Sequence, residues 1–408
     1  MNEIKKPAIR FKGFSEEWEE QKFGDILKKY EDPVATPHNG YERLGIRSHA
    51  KGTFHNYVAP GSELETAQMH RVAPNKMIFN ITFAWEHAVA ITDETDADKL
   101  VSHRFPQFSF ADEMNPQFFK YIIADEKFRY HLWLSSPGGA GRNRVLNIPE
   151  MLQYQCYLPK KIEQEHLANW FTTLDKSITQ HQSELEKLQS LKSAMLEKMF
   201  PQDGADMPEI RFKGFTEAWK QYKLGEIGKA RSGFGFPDNE QGGISGIPFF
   251  KVSDMNLAGN ECEMTVANNY VTEKQIKFHR WSPIKDLPAV FFAKVGAAVM
   301  LNRKRLCRFP FLMDNNTMAY SFDEKLLDST FAKSLFETVD LTSLVQIGAL
   351  PSYNTEDVEQ IEVYLPSTSE QQCIGEYFEH LDNLILFYHQ ELEKLQSIKK
   401  ALLEKMFV

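Results

Sequence analysis

Residues Pro7–Ile26 read PAIRFKGFSEEWEEQKFGDI, and residues Pro208–Ile227 read PEIRFKGFTEAWKQYKLGEI. Twelve of the twenty positions are identical at an offset of 201. A second pair lies further along each half. Leu158–Phe200 and Leu365–Phe407 agree at 22 of 43 positions at an offset of 207, with an unbroken ELEKLQS at Glu184–Ser190 and Glu391–Ser397. A repeat this long is no solenoid, whose units run roughly 20–50 residues. The simplest account is a duplicated half, each half a globular module followed by a long helix.

The repeated tail is helical by its period. Leu167, Phe171, Leu174, Ile178, His181, Leu185 and Leu188 alternate steps of four and three, and Ile374, Phe378, Leu381, Ile385, Tyr388, Leu392 and Leu395 do the same. That spacing makes an apolar seam flanked by Glu and Lys, the signature of a coiled coil. A helix of this length spans roughly 55–60 Å at about 1.5 Å per residue. Pro159 and Pro366 mark the hand-over from module to helix, and Pro201 with PQDGADMPE ends the first rod. Two matching rods in one chain are each other's obvious partners, and an antiparallel pairing puts the modules at opposite ends. The expected organisation is therefore a module over 1–157, a helix over 158–200, a second module over 201–364 and a second helix over 365–408. The expected class is α+β: two mixed α/β modules, two long helices and an internal pseudo-two-fold repeat. Lys76–Ile81 and Ala289–Met300 read as strands, and a helix is expected from Asn115-Pro116.

Composition bounds the function. The chain has 408 residues, 42% hydrophobic and 12% aromatic, which supplies core for two or three domains. No apolar run is long enough for a membrane span, and the amino-terminal MNEIKKPAIRFKGF lacks the apolar stretch of a secretion signal. Cys156, Cys262, Cys307 and Cys373 stand far apart, without metal-ligand spacing or disulfide density. A cytoplasmic protein with free thiols is expected. The net charge is −9, and the four segments carry −2, 0, −4 and −3, so any DNA contact must come from local basic patches.

Catalytic patterns are missing: the sequence holds no GxxxxGK[ST], GxGxxG, HExxH or GxSxG. Asn115-Pro116-Gln117-Phe118 approaches the Asn-Pro-Pro-aromatic motif of amino-group DNA methyltransferases but lacks its second proline, and the other half has Asp328-Ser329-Thr330-Phe331 there. A helix cap explains it better. Pro237-Asp238 with Glu240 reads as a turn, and His166, His181 and His389 have no partners at ligand spacing. No metal site is expected.

The duplicated ends carry a family resemblance. The RFxGFxxxW opening, together with Leu158, Pro159, Glu163, Gln164, Phe171, Leu174, Asp175 and Ile178 and the matching Leu365, Pro366, Glu370, Gln371, Phe378, Leu381, Asp382 and Ile385, resembles the DNA-specificity subunit of type I restriction–modification systems. The resemblance covers essentially the whole chain. It implies two target-recognition domains, each reading one half of a bipartite double-stranded DNA site, and an antiparallel coiled coil that holds two methyltransferase subunits. It further implies motor-nuclease subunits joined to that core. The chain would be non-catalytic, with S-adenosylmethionine, ATP and magnesium belonging to its partners.

Three basic groups are candidates for DNA contact: Arg43, Arg47 and Lys51 in RLGIRSHAKGTF; Arg142 and Arg144 in GGAGRNR; and Arg303, Lys304 and Arg305, with Arg308 after them. Arginine can bond phosphate or read guanine, and neighbouring glycines allow close backbone approach. For each group a solvated turn is the alternative. For the whole chain the alternative is a coiled-coil scaffold that reads no DNA sequence.

Overall fold

The computed structural model describes residues 6–64, 68–138, 144–202, 204–345 and 351–408. The chain divides into two compact units, Met1–Thr179 with Glu393–Val408, and Gln180–Leu392. Each unit therefore contains one module and parts of two long helices, Lys161–Lys198 and Thr368–Met406. We refer to these as the central and the C-terminal helix. The class is α+β.

In the first unit a four-stranded antiparallel sheet runs in the order Leu27–Tyr30, Gln107–Phe110, Lys76–Phe79, Val89–Ile91. Lys76–Phe79 carries MIF buried, which is why this apolar run is an inner strand. A second sheet orders Pro33–Ala35, Gln68–Arg71, Leu100–Val101, Tyr41–Ile46 and Thr53–Val58. The second unit repeats the four-stranded arrangement with Gly228–Ser232, Thr317–Phe322, Ala289–Ala293 and Lys304–Cys307. Its additional sheet is smaller, three strands built around Ile247–Phe250.

Two local expectations are corrected. The strand at Ala289 ends at Ala293, and Ala297–Leu301 forms a 3-10 turn after Gly296, whose φ of +83° breaks the extended run. The helix expected from Asn115 begins only at Phe119. The Asn115 side chain instead accepts the Gln117 N–H at 2.9 Å and closes a turn ahead of it.

The repeated motifs build the frame of each unit. In the first, Glu19–Lys22 pairs with Gln155–Leu158, joining the opening segment to the strand that leads into the central helix. Arg10 of RFKGF donates to both oxygens of Glu163, each at 2.6 Å, and Glu163 is only 2% exposed. Gln164 accepts the Asn115 N–H at 2.9 Å and donates to the Pro159 carbonyl at 2.8 Å. In the second unit Arg211 grips Glu370 at 2.6 and 2.7 Å, and Gln371 accepts the Asp328 N–H at 2.8 Å. The Glu-Gln pair after each proline thus receives the opening arginine and caps a turn of the module.

Both units close on an aromatic cluster made partly by a helix end. Phe407 packs on Trp18, Phe118, Tyr121 and Phe171 in the first, and the Ile9 N–H bonds the Lys405 carbonyl at 2.9 Å. Phe200 packs on Trp219, Phe331 and Phe378 in the second, where the Ile210 N–H bonds the Lys198 carbonyl at 2.8 Å. Leu167 and Phe171 lie in one core, Ile374, Phe378 and Leu381 in the other. His181 and Tyr388 meet edge-on at 5.6 Å.

Each unit also links the helices by charge. Lys399 bonds Asp175 at 2.6 Å, and the Tyr121 hydroxyl donates to the same carboxylate at 3.0 Å. In the second unit the equivalent carboxylate, Asp382, takes Lys192 at 2.6 Å and Lys333 at 2.7 Å.

Candidate nucleic-acid interface

Arg43, Arg47 and Lys51 come together on one hairpin, Tyr41–Ile46 with Thr53–Val58. Arg43 sits opposite Asn56 and beside Leu100 in the five-stranded sheet and is half-buried. It lines a depression of about 470 Å³ shared with Phe54, Asn80, Thr82, Phe83 and Arg104. Arg47 is turned back on the chain: its guanidinium bonds the Thr53 carbonyl and lies 5.3 Å from the centre of the Phe54 ring. Lys51 is exposed at the tip, next to His49 and Ala50, whose positive φ values of 61° and 50° make the turn.

Arg144 stacks its guanidinium over Trp133 at 4.8 Å, and Trp133 itself stacks on Tyr130 at 6.0 Å. Both aromatics are solvent-exposed on the helix Glu126–Leu134. Arg142 lies outside the described residues.

The second unit treats its basic run differently. Arg303 is exposed and bonds Asn256 at 2.5 Å. Lys304 donates to the Val339 carbonyl at 2.5 Å, and Arg305 to the Asn260 and Lys304 carbonyls at 2.6 and 2.8 Å. Arg308 is held by Glu263 and Ser329. Burial pushes the Lys304 amine down to about 8 and lowers the Arg305 guanidinium in the same direction. What reads as a basic turn is a strand edge forming part of a cavity wall.

Two better-exposed sets escape a search for arginine clusters. His103 and Arg104 are exposed at the rim of the first unit's depression, where Asn80 and Thr82 add short hydrogen-bonding side chains. In the second unit the helix Glu273–His279 exposes Lys274 and Lys277, with Phe278 80% exposed and Arg280 just beyond. Gln275 and His279 anchor that helix on Glu240 at 2.8 and 3.1 Å, and His279 stacks on Trp281 at 4.5 Å. The Gln275 hydrogen bond and the adjacent His279 ring hold the Glu240 carboxyl below its ordinary range. The turn read at Pro237–Glu240 is therefore an anchor. The KQIKFHR run was the available signal: cations interleaved with an aromatic that the core does not bury. Exposed cations beside an aromatic can neutralise phosphates and touch base edges.

Among the described residues no group of three or more His, Cys, Asp and Glu side chains could hold a metal ion, and no helix is long and apolar enough to cross a membrane.

Comparison with known proteins identifies the frame. A family model, the type I restriction modification DNA specificity domain, matches residues 216–397. The chain is similar in fold to the S subunit of a type I restriction–modification system from M. genitalium, at 15% identity and a TM-score of 0.62 over 99% of each chain. It is also similar to a chain from a study of complex assembly and conformational transition in the type I system, at 14% identity and a TM-score of 0.50, covering 96% of this chain and 97% of that one. Residues 216–397 thus match the type I restriction modification DNA specificity domain, and the fold of the chain as a whole is similar to that of a type I S subunit.

Proposed function

We propose that each module is a target-recognition domain reading one half of a bipartite DNA site. In this reading the central and C-terminal helices form an antiparallel coiled coil that sets the gap and carries two methyltransferase subunits, which motor-nuclease subunits join. The chain supplies address and not chemistry: S-adenosylmethionine, ATP and magnesium belong to the partners, and the assembly works in the cytoplasm. One observation carries the reading. The same arginine–glutamate and glutamine clamp is built twice, around modules whose interiors differ. A repeated frame with varied contents suits two readers of unlike half-sites on two like partners. A scaffold that reads no sequence has no need for such divergence. The test replaces residues 27–145 by those of a related chain and maps methylated adenines genome-wide in a host that also expresses the methyltransferase. One half-site should change and the other stay. A change in both, or in neither, sinks the division of labour.

A further inference from the structure

Within the second unit lies a cavity of about 580 Å³, inside the range of roughly 300–1,000 Å³ typical of small-molecule sites. Its walls come from the module, the central helix and the C-terminal helix. Leu196, Val290, Leu306, Ile385 and Leu386 make an apolar floor.

The charges on its wall do not balance. Five cations, Lys192, Arg303, Lys304, Arg305 and Lys333, face three carboxylates, Glu261, Glu337 and Asp382. Those carboxylates are already engaged. Asp382 takes Lys192 and Lys333, Glu337 takes Lys192 at 2.6 Å, and Glu261 accepts the Gly259 N–H at 2.9 Å. Among the described residues Lys304 and Arg305 hydrogen-bond only to backbone carbonyls and most of their N–H donors are unused, while Asp340, Glu337 and Glu261 act on them only through space. A half-buried cation with no carboxylate in hydrogen-bond contact is costly, and a chain that keeps two side by side at a cavity wall has left room for an anion.

We propose that this cavity binds a small organic anion, an apolar body carrying one phosphate or carboxylate. The anionic group takes charge-assisted bonds from Lys304 and Arg305, with Arg303 at the rim. The body rests on the Leu196–Val290–Leu386 floor. The depressed amine of Lys304 agrees with a cation waiting for its partner. The site does not depend on the module reading DNA. Because three elements share its wall, an occupant ties the module to both helices.

Phenyl phosphate is the probe, titrated by calorimetry into the full chain, with inorganic phosphate and benzyl alcohol as partial ligands. Saturable binding is expected for phenyl phosphate, at least about tenfold tighter than for either fragment. Lys304→Met should weaken it at least about tenfold while leaving the melting temperature of the empty protein unchanged or raised, because it removes a half-buried charge that no carboxylate touches. Leu386→Trp fills the floor and should weaken it similarly. No saturable heat up to about 10 mM, or equal affinity in both variants, overturns the proposal. A Lys304→Met chain that melts lower yet binds phenyl phosphate normally makes Lys304 a structural residue and overturns it too. Displacement of phenyl phosphate by a DNA duplex, with a matching loss of DNA affinity in Lys304→Met, reassigns these cations to the DNA surface and refutes the small-molecule site.

Discussion

Replacing Arg10 by methionine should loosen the first unit and leave the second intact. Arg10 is the only cation bonded to Glu163 among the described residues, and Glu163 is 2% exposed. The variant therefore strands a buried carboxylate, which costs about 3–5 kcal/mol. The clamp joins the opening segment to the start of the central helix, next to the pairing of Glu19–Lys22 with Gln155–Leu158. Opening of that strand pair should become easier by the same amount. At about 1.4 kcal/mol per tenfold, amide exchange there should accelerate by roughly a hundredfold to a few thousandfold. The equivalent pair in the second unit, Lys220–Lys223 with Glu362–Leu365, is an internal control in the same mass-spectrometric experiment. Arg211→Met should produce the reverse pattern, since Glu370 is 1% exposed and gripped in the same way. The cost arises from the stranded charge and not from lost arginine contacts, so Arg10→Met with Glu163→Met should recover most of the protection. A double variant as labile as the single one refutes this reasoning, as does equal acceleration in both strand pairs.

A second prediction uses the proposed coiled coil as a ruler: inserting one heptad after Leu188 and one after Leu395 adds about 10 Å of helix, or roughly three base pairs, and turns one half-site by about 100° around the duplex. Methylated sites mapped genome-wide should show a gap two to four pairs longer with unchanged half-sites (about 3.4 Å per pair), and an unaltered gap in an active assembly sinks the ruler. A third concerns acid. His87 is 3% exposed, burial depresses its pKa, and its ring nitrogen lies 2.6 Å from the Ile123 carbonyl oxygen. The unfolded chain therefore binds this proton first, so first-unit stability should fall as pH drops below about 6.5, and His87→Gln should remove that slope in urea melts.

The two long helices and the repeated segments are legible in the letters alone. The duplicated RFKGF and ELEKLQS segments are local strings whose identity survives without any knowledge of contacts, and the four-and-three seam follows from helix geometry alone. The sequence also offers Lys304 and Arg305 as candidate DNA contacts and does not single out Lys274, Lys277 and Phe278, which the fold exposes. Only tertiary structure decides such cases. A basic run has the same letters whether its strand faces solvent or a cavity, and the carbonyls of Val339 and Asn260 that hold Lys304 and Arg305 lie 35 and 45 residues away. The same is true of the motif residues. Arg10 and Glu163 are separated by 153 positions, so the sequence marks both as repeated without saying that each is there for the other. Their purpose appears when folding removes both from water, where a charge is tolerated only beside its opposite.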